Sequence, residues 1–194
     1  MKQIILASNN KNKLQEIKNK LKKFDIDVIS QKEAGVNIEV EETGKTFKEN
    51  SYLKAKAIYD IIKKPVIADD SGLEIDCLNG EPGVYSARYA GKDATDDDKI
   101  NKVLEKMKNV KDPDRTARFV CTICYIDENG KEKYFESSSE GKIATKKHGN
   151  NGFGYDPIFI YGDKSFAEMT QEEKNKVSHR GKAIQKLVEY FKNS

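Results

Sequence analysis

The sequence predicts an α/β protein in which helices flank a mixed β-sheet. Short apolar runs alternate with amphipathic stretches of helical period, as expected for strands and helices in turn. Asn129 and Gly130 separate two later strand-like runs, and this pair favours a tight antiparallel hairpin, so the sheet is expected to be mixed. No repeat, linker or change of composition divides the 194 residues. We therefore expect a single domain over residues 1–194.

Strands and helices are expected to alternate in the first part of the chain. Residues 4–7 form a continuous apolar run, which predicts a buried strand, and apolar residues recur at helical spacing over residues 14–24. Thr46 and Glu49 have capping-box spacing, which predicts that a helix begins after Thr46. The side chains that this helix is expected to bury are Phe47, Leu53, Ala57, Ile58 and Ile61. Further strands are expected over residues 27–30 and 66–68.

The later part of the chain is expected to contain the hairpin and three more helices. Thr95 and Thr170 each have an acidic residue three positions later, so a helix is expected to begin after each threonine. The last helix is expected over residues 184–191, where apolar residues recur at helical spacing. The remaining strands are expected over residues 115–126, 131–138 and 157–160.

Composition limits the classes of partner. The chain has 35 Lys and Arg against 32 Asp and Glu, a net charge of +3, so phosphate neutralisation alone would not drive nucleic-acid binding. The first apolar run is too short for an export signal, and no later stretch is long enough to cross a bilayer. We expect a cytoplasmic protein that binds neither nucleic acid nor membrane.

The cysteines favour a reduced protein without a zinc site. Cys121 and Cys124 match C-x-x-C but lie in a run of strand formers, and side chains three apart on a strand face opposite ways. They are therefore interpreted as small buried apolar groups. His148 and His179 are the only histidines and lie far apart in sequence, which also disfavours zinc.

The segment from Ser8 to Lys13 is a candidate phosphate site. Asn10, Lys11 and Lys13 lie between a predicted strand and a predicted helix, where unpaired backbone N–H groups attract anions. No P-loop or dinucleotide fingerprint is present. A capped helix with solvated lysines is the structural alternative.

Acidic residues are a second cluster. Asp69 and Asp70 follow a buried strand, and one of them together with Glu41 would supply the oxygen ligands that Mg²⁺ prefers. Adjacent strand residues face opposite ways, so only one Asp is expected to enter a cleft unless the chain turns there. Turn-forming aspartates are the structural alternative.

A third cluster suits a purine base. Phe153 lies in a polar, glycine-rich loop, where an exposed ring would stack on a base, although a ring folded into the core remains open. Ser178 resembles an N-cap, which places His179 and Arg180 in the first helical turn, where cations are disfavoured. Lys174 would add a donor, or be an ordinary solvated lysine.

In this order, the clusters resemble the motifs of the inosine triphosphate pyrophosphatase family, and within it the bacterial branch that acts on dITP and XTP. The resemblance covers almost the whole chain. The residues that carry it are Ser8-Asn-Asn-Lys-Asn-Lys13, Glu41-Glu-Thr-Gly-Lys-Thr-Phe47, Asp69-Asp-Ser-Gly72, Gly83-Val-Tyr-Ser-Ala-Arg-Tyr89, Gly152-Phe-Gly-Tyr-Asp-Pro157, Phe166-Ala-Glu-Met169 and Ser178-His-Arg-Gly181.

The resemblance implies an elongated protein with two lobes around a central cleft, acting as a Mg²⁺-dependent homodimer. It implies hydrolysis of ITP, dITP and XTP to the monophosphate and pyrophosphate, which removes deaminated purines from the nucleotide pool. By position, Glu41 and Asp70 would bind metal, and Asp70 would also accept a proton from water. The residues expected to hold the nucleotide are Ser8, Asn9, Asn10, Lys11, Asn12, Lys13, Ser71, Phe153, Gly154, Tyr155, Asp156, Lys174, His179 and Arg180.

Two other classes of function remain as hypotheses. A non-catalytic nucleotide sensor would use the phosphate loop and Phe153 without turnover, but carboxylates repel a triphosphate unless a cation intervenes. A single-stranded nucleic-acid module would use the aromatic residues and lysines, but the nearly balanced charge disfavours it.

Overall fold

The computed structural model describes residues 2–193, without the side chain of Asn12. Its strands are β1 (Lys2–Leu6), β2 (Ile26–Ser30), β3 (Val66–Ile75), β4 (Thr116–Ile126), β5 (Glu132–Ile143), β6 (Phe159–Tyr161) and β7 (Lys164–Ser165). Its α-helices are α1 (Lys11–Leu21), α2 (Phe47–Ile62), α3 (Asp96–Lys106), α4 (Gln171–Val177) and α5 (His179–Lys192). None of the helices within residues 2–193 combines the length and apolar character that a membrane span requires.

The strands form a mixed sheet, as predicted. Their order is β2-β1-β3-β4-β5-β6-β7. β1 is parallel to β2 and β3, whereas β6 is antiparallel to β5 and β7. Sequence patterns therefore predicted the fold class correctly.

The chain forms two compact units. The first comprises the residues as far as Asp70, then Cys121–Glu136 and the residues from Ala183 onward. The second comprises Ser71–Val120 and Ser137–Lys182. The single domain over residues 1–194 and the cleft remain predictions.

The first unit has an apolar core on each face of its strands. Side chains of α1 and α5 cover one face, where Leu6, Ile67 and Cys121 are fully buried. α2 covers the other face, where Ala68 and Cys124 are fully buried. Cys121 and Cys124 thus belong to different cores, which confirms that the C-x-x-C thiols face apart.

The second unit has one core that is rich in aromatic side chains. Ile100 and Val103 of α3, and Met107 directly after it, pack into this core with residues of β3 and β4. The rings of Phe119, Phe159 and Phe166 lie 4.6–5.8 Å apart between centroids. This core supports the loop that carries Phe153.

Three local features refine the sequence predictions. β3 continues through Asp69 and Asp70 to Ile75, which excludes the structural alternative of turn-forming aspartates. The hairpin between β4 and β5 contains Asn129 and Gly130 in its connection, as predicted, and Asp127 and Lys131 hydrogen-bond across this connection, so β5 begins one residue later than expected, at Glu132. Ile61 is 55% exposed although its spacing predicted burial, because it lies near the end of α2, beyond the last buried side chain at Ile58.

Candidate active site

The loop after β1 forms an N-terminal cap for α1 in the first unit. The Asn10 side-chain oxygen accepts a hydrogen bond from the Lys13 backbone N–H at 3.1 Å, and the Ser8 hydroxyl accepts one from the Asn10 N–H at 3.1 Å. The first turn of α1 has no acidic residue. A capped helix start with nearby lysines is compatible with the phosphate site and with the structural alternative, so the phosphate role of Ser8 to Lys13 stays a prediction, and the side chain of Asn12 lies outside the described residues.

Asp69 and Asp70 point to opposite faces of β3, as predicted for adjacent strand residues. The Lys13 ammonium lies 2.9 Å from a carboxylate oxygen of Asp69, whereas the Lys54 ammonium lies 2.8 Å from Oδ1 of Asp70. Lys13 belongs to α1 and Lys54 to α2, the helices that cover the two faces. Of the two aspartates, only Asp70 therefore lies on the face of β3 that α2 covers. The segment that carries Glu41 and Glu42 directly precedes α2 in the chain.

Lys54 joins two carboxylates in a largely buried cluster. Its ammonium also lies 2.7 Å from Oε1 of Glu42, so Glu42 and Asp70 share one cation. Burial raises the pKa of the Asp70 carboxyl, and Lys54 only partly offsets this effect. Burial lowers the pKa of Lys54, but the carboxylates of Asp70, Asp69 and Glu42 outweigh it and leave that pKa raised.

The remaining oxygen of Asp70 makes this cluster suitable for a metal ion. Asp70 is 7% exposed, and its buried Oδ2 has no hydrogen-bond partner among the described residues. Carboxylate oxygens are the ligands that Mg²⁺ prefers, and few protein ligands suffice because phosphates and waters complete its shell. Among residues 2–193, no three side chains of His, Cys, Asp or Glu gather into a metal-binding group. Asp70 with Glu42 fits a sparsely ligated ion of this kind.

The structure places Glu42, and not the predicted Glu41, in contact with Lys54. Glu41 is exposed, whereas Glu42 reaches the cation that Asp70 also contacts. Lys54 was missed by sequence reasoning because it resembles any lysine on an amphipathic helix. Its position one turn after buried Asn50 and one residue before buried Ala55 was the available signal.

A cavity of about 450 Å³ adjoins this cluster within the first unit. Asn9 and Lys54 line it together with Gln31 and loop residues 37–40. The volume falls in the range of small-molecule pockets. Of the residues that line it, Asn9 belongs to the candidate phosphate site over Ser8 to Lys13, and Lys54 belongs to the cluster with Glu42 and Asp70.

In the second unit, Phe153 is exposed on a well-anchored loop. Its ring is 55% exposed, which excludes the alternative of a ring folded into the core. The backbone N–H groups of Phe153 and Gly154 donate to carboxylates of Asp156 and Asp96, at 2.9 and 2.6 Å. The buried Tyr155 donates its hydroxyl to the carbonyl of Ser86 at 2.8 Å. Such anchoring holds the ring in place before any ligand binds.

Asp156 and Lys174 form a buried ion pair beneath that ring. Their charged atoms lie 2.5 Å apart, and the Lys174 ammonium lies 4.8 Å from the centroid of Phe153. Lys174 is only 8% exposed, so it is not the solvated lysine of the structural alternative. Asp156 contacts both Lys174 and the Phe153 backbone. We therefore assign Asp156 the role of holding these two residues in position.

Ser178 is the N-cap of α5, as predicted. Its hydroxyl oxygen accepts a hydrogen bond from the Gly181 N–H at 3.1 Å, which places His179 and Arg180 in the first turn. Arg180 donates to the Ser71 hydroxyl at 3.0 Å, and its guanidinium carbon lies 5.9 Å from the Phe153 centroid. His179 is buried and stacks on Phe119 at 4.7 Å. The second unit thus brings Ser71, Phe153, Lys174 and Arg180 into one contact network.

Comparison with known proteins decides the family. A profile of the Ham1 family matches residues 4–190. The chain belongs to the Ham1 family. Individual homologous proteins confirm the family resemblance that the sequence motifs predicted. A dITP/XTP pyrophosphatase of Clostridium perfringens (strain 13 / Type A) is 50% identical over 200 residues, which cover 99% of this chain and 98% of the relative.

Other Ham1 relatives agree. A dITP/XTP pyrophosphatase of Bacillus subtilis (strain 168) is 49% identical over 96% of each chain. The solved structure of a Staphylococcus aureus Ham1 protein matches with a TM-score of 0.93 and 45% identity over 99% of each chain. A Ham1 protein from Coxiella burnetii matches with a TM-score of 0.95 and 43% identity over the full length of each chain. The Ham1 fold thus extends over the whole described chain.

Proposed function

We propose that this Ham1 family chain hydrolyses ITP, dITP and XTP to the monophosphate and pyrophosphate in a Mg²⁺-dependent reaction. The names of the relatives from Clostridium perfringens and Bacillus subtilis support a dITP/XTP pyrophosphatase. The observation that carries the proposal is the carboxyl of Asp70. It is buried beside Lys54, and one of its oxygens has no hydrogen-bond partner within residues 2–193 as the structure describes them. An inert structural aspartate would not need that open oxygen.

The triphosphate is assigned to the first unit. The segment from Ser8 to Lys13 leads into the start of α1, whose dipole favours an anion, and Lys13, which pairs with Asp69 in this structure, would exchange that carboxylate for a phosphate. Lys54 adds a second ammonium beside the cavity. Phosphoanhydride hydrolysis depends mainly on positioning and charge neutralisation, which these groups supply.

Asp70 is assigned as the proton acceptor. It takes a proton from a water molecule whose oxygen attacks the α-phosphorus. The bond from that phosphorus to the α,β-bridging oxygen breaks, and pyrophosphate leaves with the electron pair. Burial holds the pKa of Asp70 above its ordinary value, which makes its carboxylate a stronger base. Mg²⁺, when bound, neutralises phosphate charge.

The purine is assigned to the second unit. The exposed ring of Phe153 would stack on the base, and Lys174 and Arg180 lie against that ring. Hypoxanthine and xanthine carry a 6-keto acceptor where adenine carries an amino donor, so donors from His179 or Arg180 would favour the keto purines. An unmatched buried donor costs about 1–3 kcal/mol, or roughly tenfold to a hundredfold in rate.

The direct test is pyrophosphate release from ITP, dITP, XTP, ATP and GTP, with Mg²⁺ and with a chelator. We expect faster turnover of ITP, dITP and XTP than of ATP, and loss of all turnover with the chelator. Nucleotide binding without pyrophosphate release would instead support the sensor hypothesis. Release at equal rates from ITP and ATP would contradict the assignment of the purine site.

The acidic segment offers a matched pair for the second metal ligand. Glu41→Gln and Glu42→Gln remove one charge each from adjacent residues, but only Glu42 contacts Lys54. We expect Glu42→Gln to raise the Mg²⁺ concentration for half-maximal rate about tenfold or more. A larger effect of Glu41→Gln on the Mg²⁺ requirement would instead support Glu41 as the metal ligand, as the family resemblance implies. The measurement is initial rate against Mg²⁺ at saturating ITP.

Two further parts of the proposal concern the state of the protein. We propose a homodimer in the cytoplasm, as the family resemblance implies. Light scattering of the purified chain measures the oligomeric state, and a monomer at micromolar concentration would contradict the homodimer. Cell fractionation tests the cytoplasmic location.

A further inference from the structure

The segment that carries Glu41 and Glu42 has no regular secondary structure. The residues that follow it are hydrogen-bonded to the first turn of α2. The Glu49 carboxylate accepts hydrogen bonds from the backbone N–H groups of Lys45 and Thr46, at 2.6 and 3.2 Å. These contacts are exposed to water. They form the helix cap and lie three or four residues beyond Glu42.

Asn50 makes the contact nearest to the acidic pair. Its side-chain oxygen accepts a hydrogen bond from the Gly44 N–H at 2.8 Å, only two residues from Glu42. Asn50 is completely buried, so water competes little for this bond. A Cβ at Gly44 would lie 2.6 Å from that oxygen and 2.7 Å from Cβ of Glu49. The glycine therefore permits an approach that other residues would prevent.

The other half of the Asn50 amide is not satisfied. Its Nδ2 is buried and has no hydrogen-bond partner among the described residues. An unpaired buried donor destabilises a fold, so an apolar residue of similar size would serve packing alone better. The use of an amide here is explained by the oxygen that holds Gly44.

We propose that Asn50 is a positioning residue of the hydrolase site. Its side-chain oxygen fixes Gly44 and thereby holds the adjoining segment so that Glu42 meets Lys54, the cation that also contacts Asp70. This inference rests on the proposed function, since a reaction at Asp70 is what the segment would serve.

The test compares substitutions at Asn50 with a neighbouring control. Asn50→Leu keeps the volume but removes the acceptor, whereas Asn50→Asp keeps an acceptor oxygen. Ser51→Ala removes a polar group from the next buried position of α2, where the Ser51 hydroxyl donates to the Lys48 carbonyl. Two quantities are measured: hydrogen exchange at the Gly44 amide without metal or nucleotide, and the Mg²⁺ concentration for half-maximal ITP turnover.

Asn50→Leu is expected to speed exchange at Gly44 and to raise the Mg²⁺ requirement about tenfold, while the KM for ITP at saturating Mg²⁺ changes little. Ser51→Ala is expected to resemble the wild type in both measurements, and Asn50→Asp is expected to keep the slow exchange at Gly44. A folded Asn50→Leu protein with normal exchange or a normal Mg²⁺ requirement overturns the inference. If that variant does not fold, Gly44→Ala breaks the same contact from the loop side and carries the same expectation.

Failure of the proposed function is distinguishable from failure of this inference. A wild-type chain without Mg²⁺-dependent pyrophosphate release refutes the proposed function, and the inference falls with it. An active wild-type chain whose Asn50→Leu and Gly44→Ala variants keep a normal Mg²⁺ requirement refutes only the positioning role.

Discussion

Asp70 carries the most informative charge among the candidate site residues. Its carboxyl is buried on β3, and one of its oxygens has no hydrogen-bond partner in the part of the chain that the structure describes. Lys54 contacts the other oxygen but does not cancel the effect of burial, so the pKa of Asp70 is raised. The site therefore holds a carboxylate in an environment that favours its protonated form. A base in such a position gains strength at a cost in stability.

This cost predicts how stability depends on pH. The folded protein binds the Asp70 proton more tightly than the unfolded chain does, so stability from this group is lost as pH rises through the raised pKa. Asp70→Asn cannot ionise, and its Tm at neutral pH is expected to exceed that of the wild type. The difference should vanish as pH falls to the ordinary value near 3.8.

Thermal melts of both proteins over a pH series, without nucleotide or metal, measure this difference. Asp60→Asn is a suitable control, because the exposed Asp60 has a lowered pKa caused by hydrogen bonds from Lys56 and Lys63. It should not raise the Tm. An Asp70→Asn protein that melts below the wild type at pH 7 would contradict the assignment.

At the scale of secondary structure, capping residues made the fold predictable. Thr46, Thr95 and Thr170 each begin a helix with a reciprocal capping box, at the positions that the sequence predicted. Those signals are local, since both partners lie within four residues. The sequence left open whether β3 extends beyond Asp70, because the β-strand pairing and burial that override the turn preference of aspartate are not local.

The site was predictable only in part, for the same reason. Phe153, Asp70 and the loop after β1 stand out because their residue types break local rules. Lys54 and Asn50 obey the rules of an amphipathic helix, and their contacts with Glu42 and Gly44 arise from packing between distant parts of the chain. No periodicity in one sequence contains that information.

The Phe153 loop gives a prediction at the scale of one element. Gly152 has a φ of +77°, and a Cβ there would collide with the carboxylate of Asp156. Gly152→Ala should displace Phe153 and raise the KM for ITP about tenfold to a hundredfold, given the strength of base stacking. Gly154→Ala is the control, since its φ is also positive but a Cβ would meet open space. Equal effects on ITP kinetics would refute the role of this contact.

The strand β4 gives a second prediction through its thiols. Cys121 and Cys124 are buried in separate cores, and burial raises the pKa of the Cys124 thiol to about 12. Cys77 is exposed. A thiol reagent at pH 8 should therefore modify one cysteine rapidly and the other two only after denaturation. Rapid modification of two or three thiols in the folded protein would contradict the burial described for β4.

At the scale of the whole molecule, each compact unit contributes a different chemistry. The first holds the helix start, the lysines and the carboxylates that suit a triphosphate with its metal, and the second holds the aromatic ring and cations that suit a base. The chain first passes from one unit to the other between Asp70 and Ser71, and crosses again after Val120, Glu136 and Lys182. Ham1 relatives match over the full length, so both units belong to the family fold.

The central claim is that Asp70 accepts the proton of the attacking water. Its most direct test is the single-turnover rate of ITP hydrolysis by Asp70→Asn at saturating Mg²⁺, measured beside equilibrium binding of ITP to the same protein. We predict a loss of about 10²–10⁴ in rate, the usual contribution of a general base, with ITP still bound. A rate within about threefold of the wild type would contradict the account, because no general base could be lost at so small an effect.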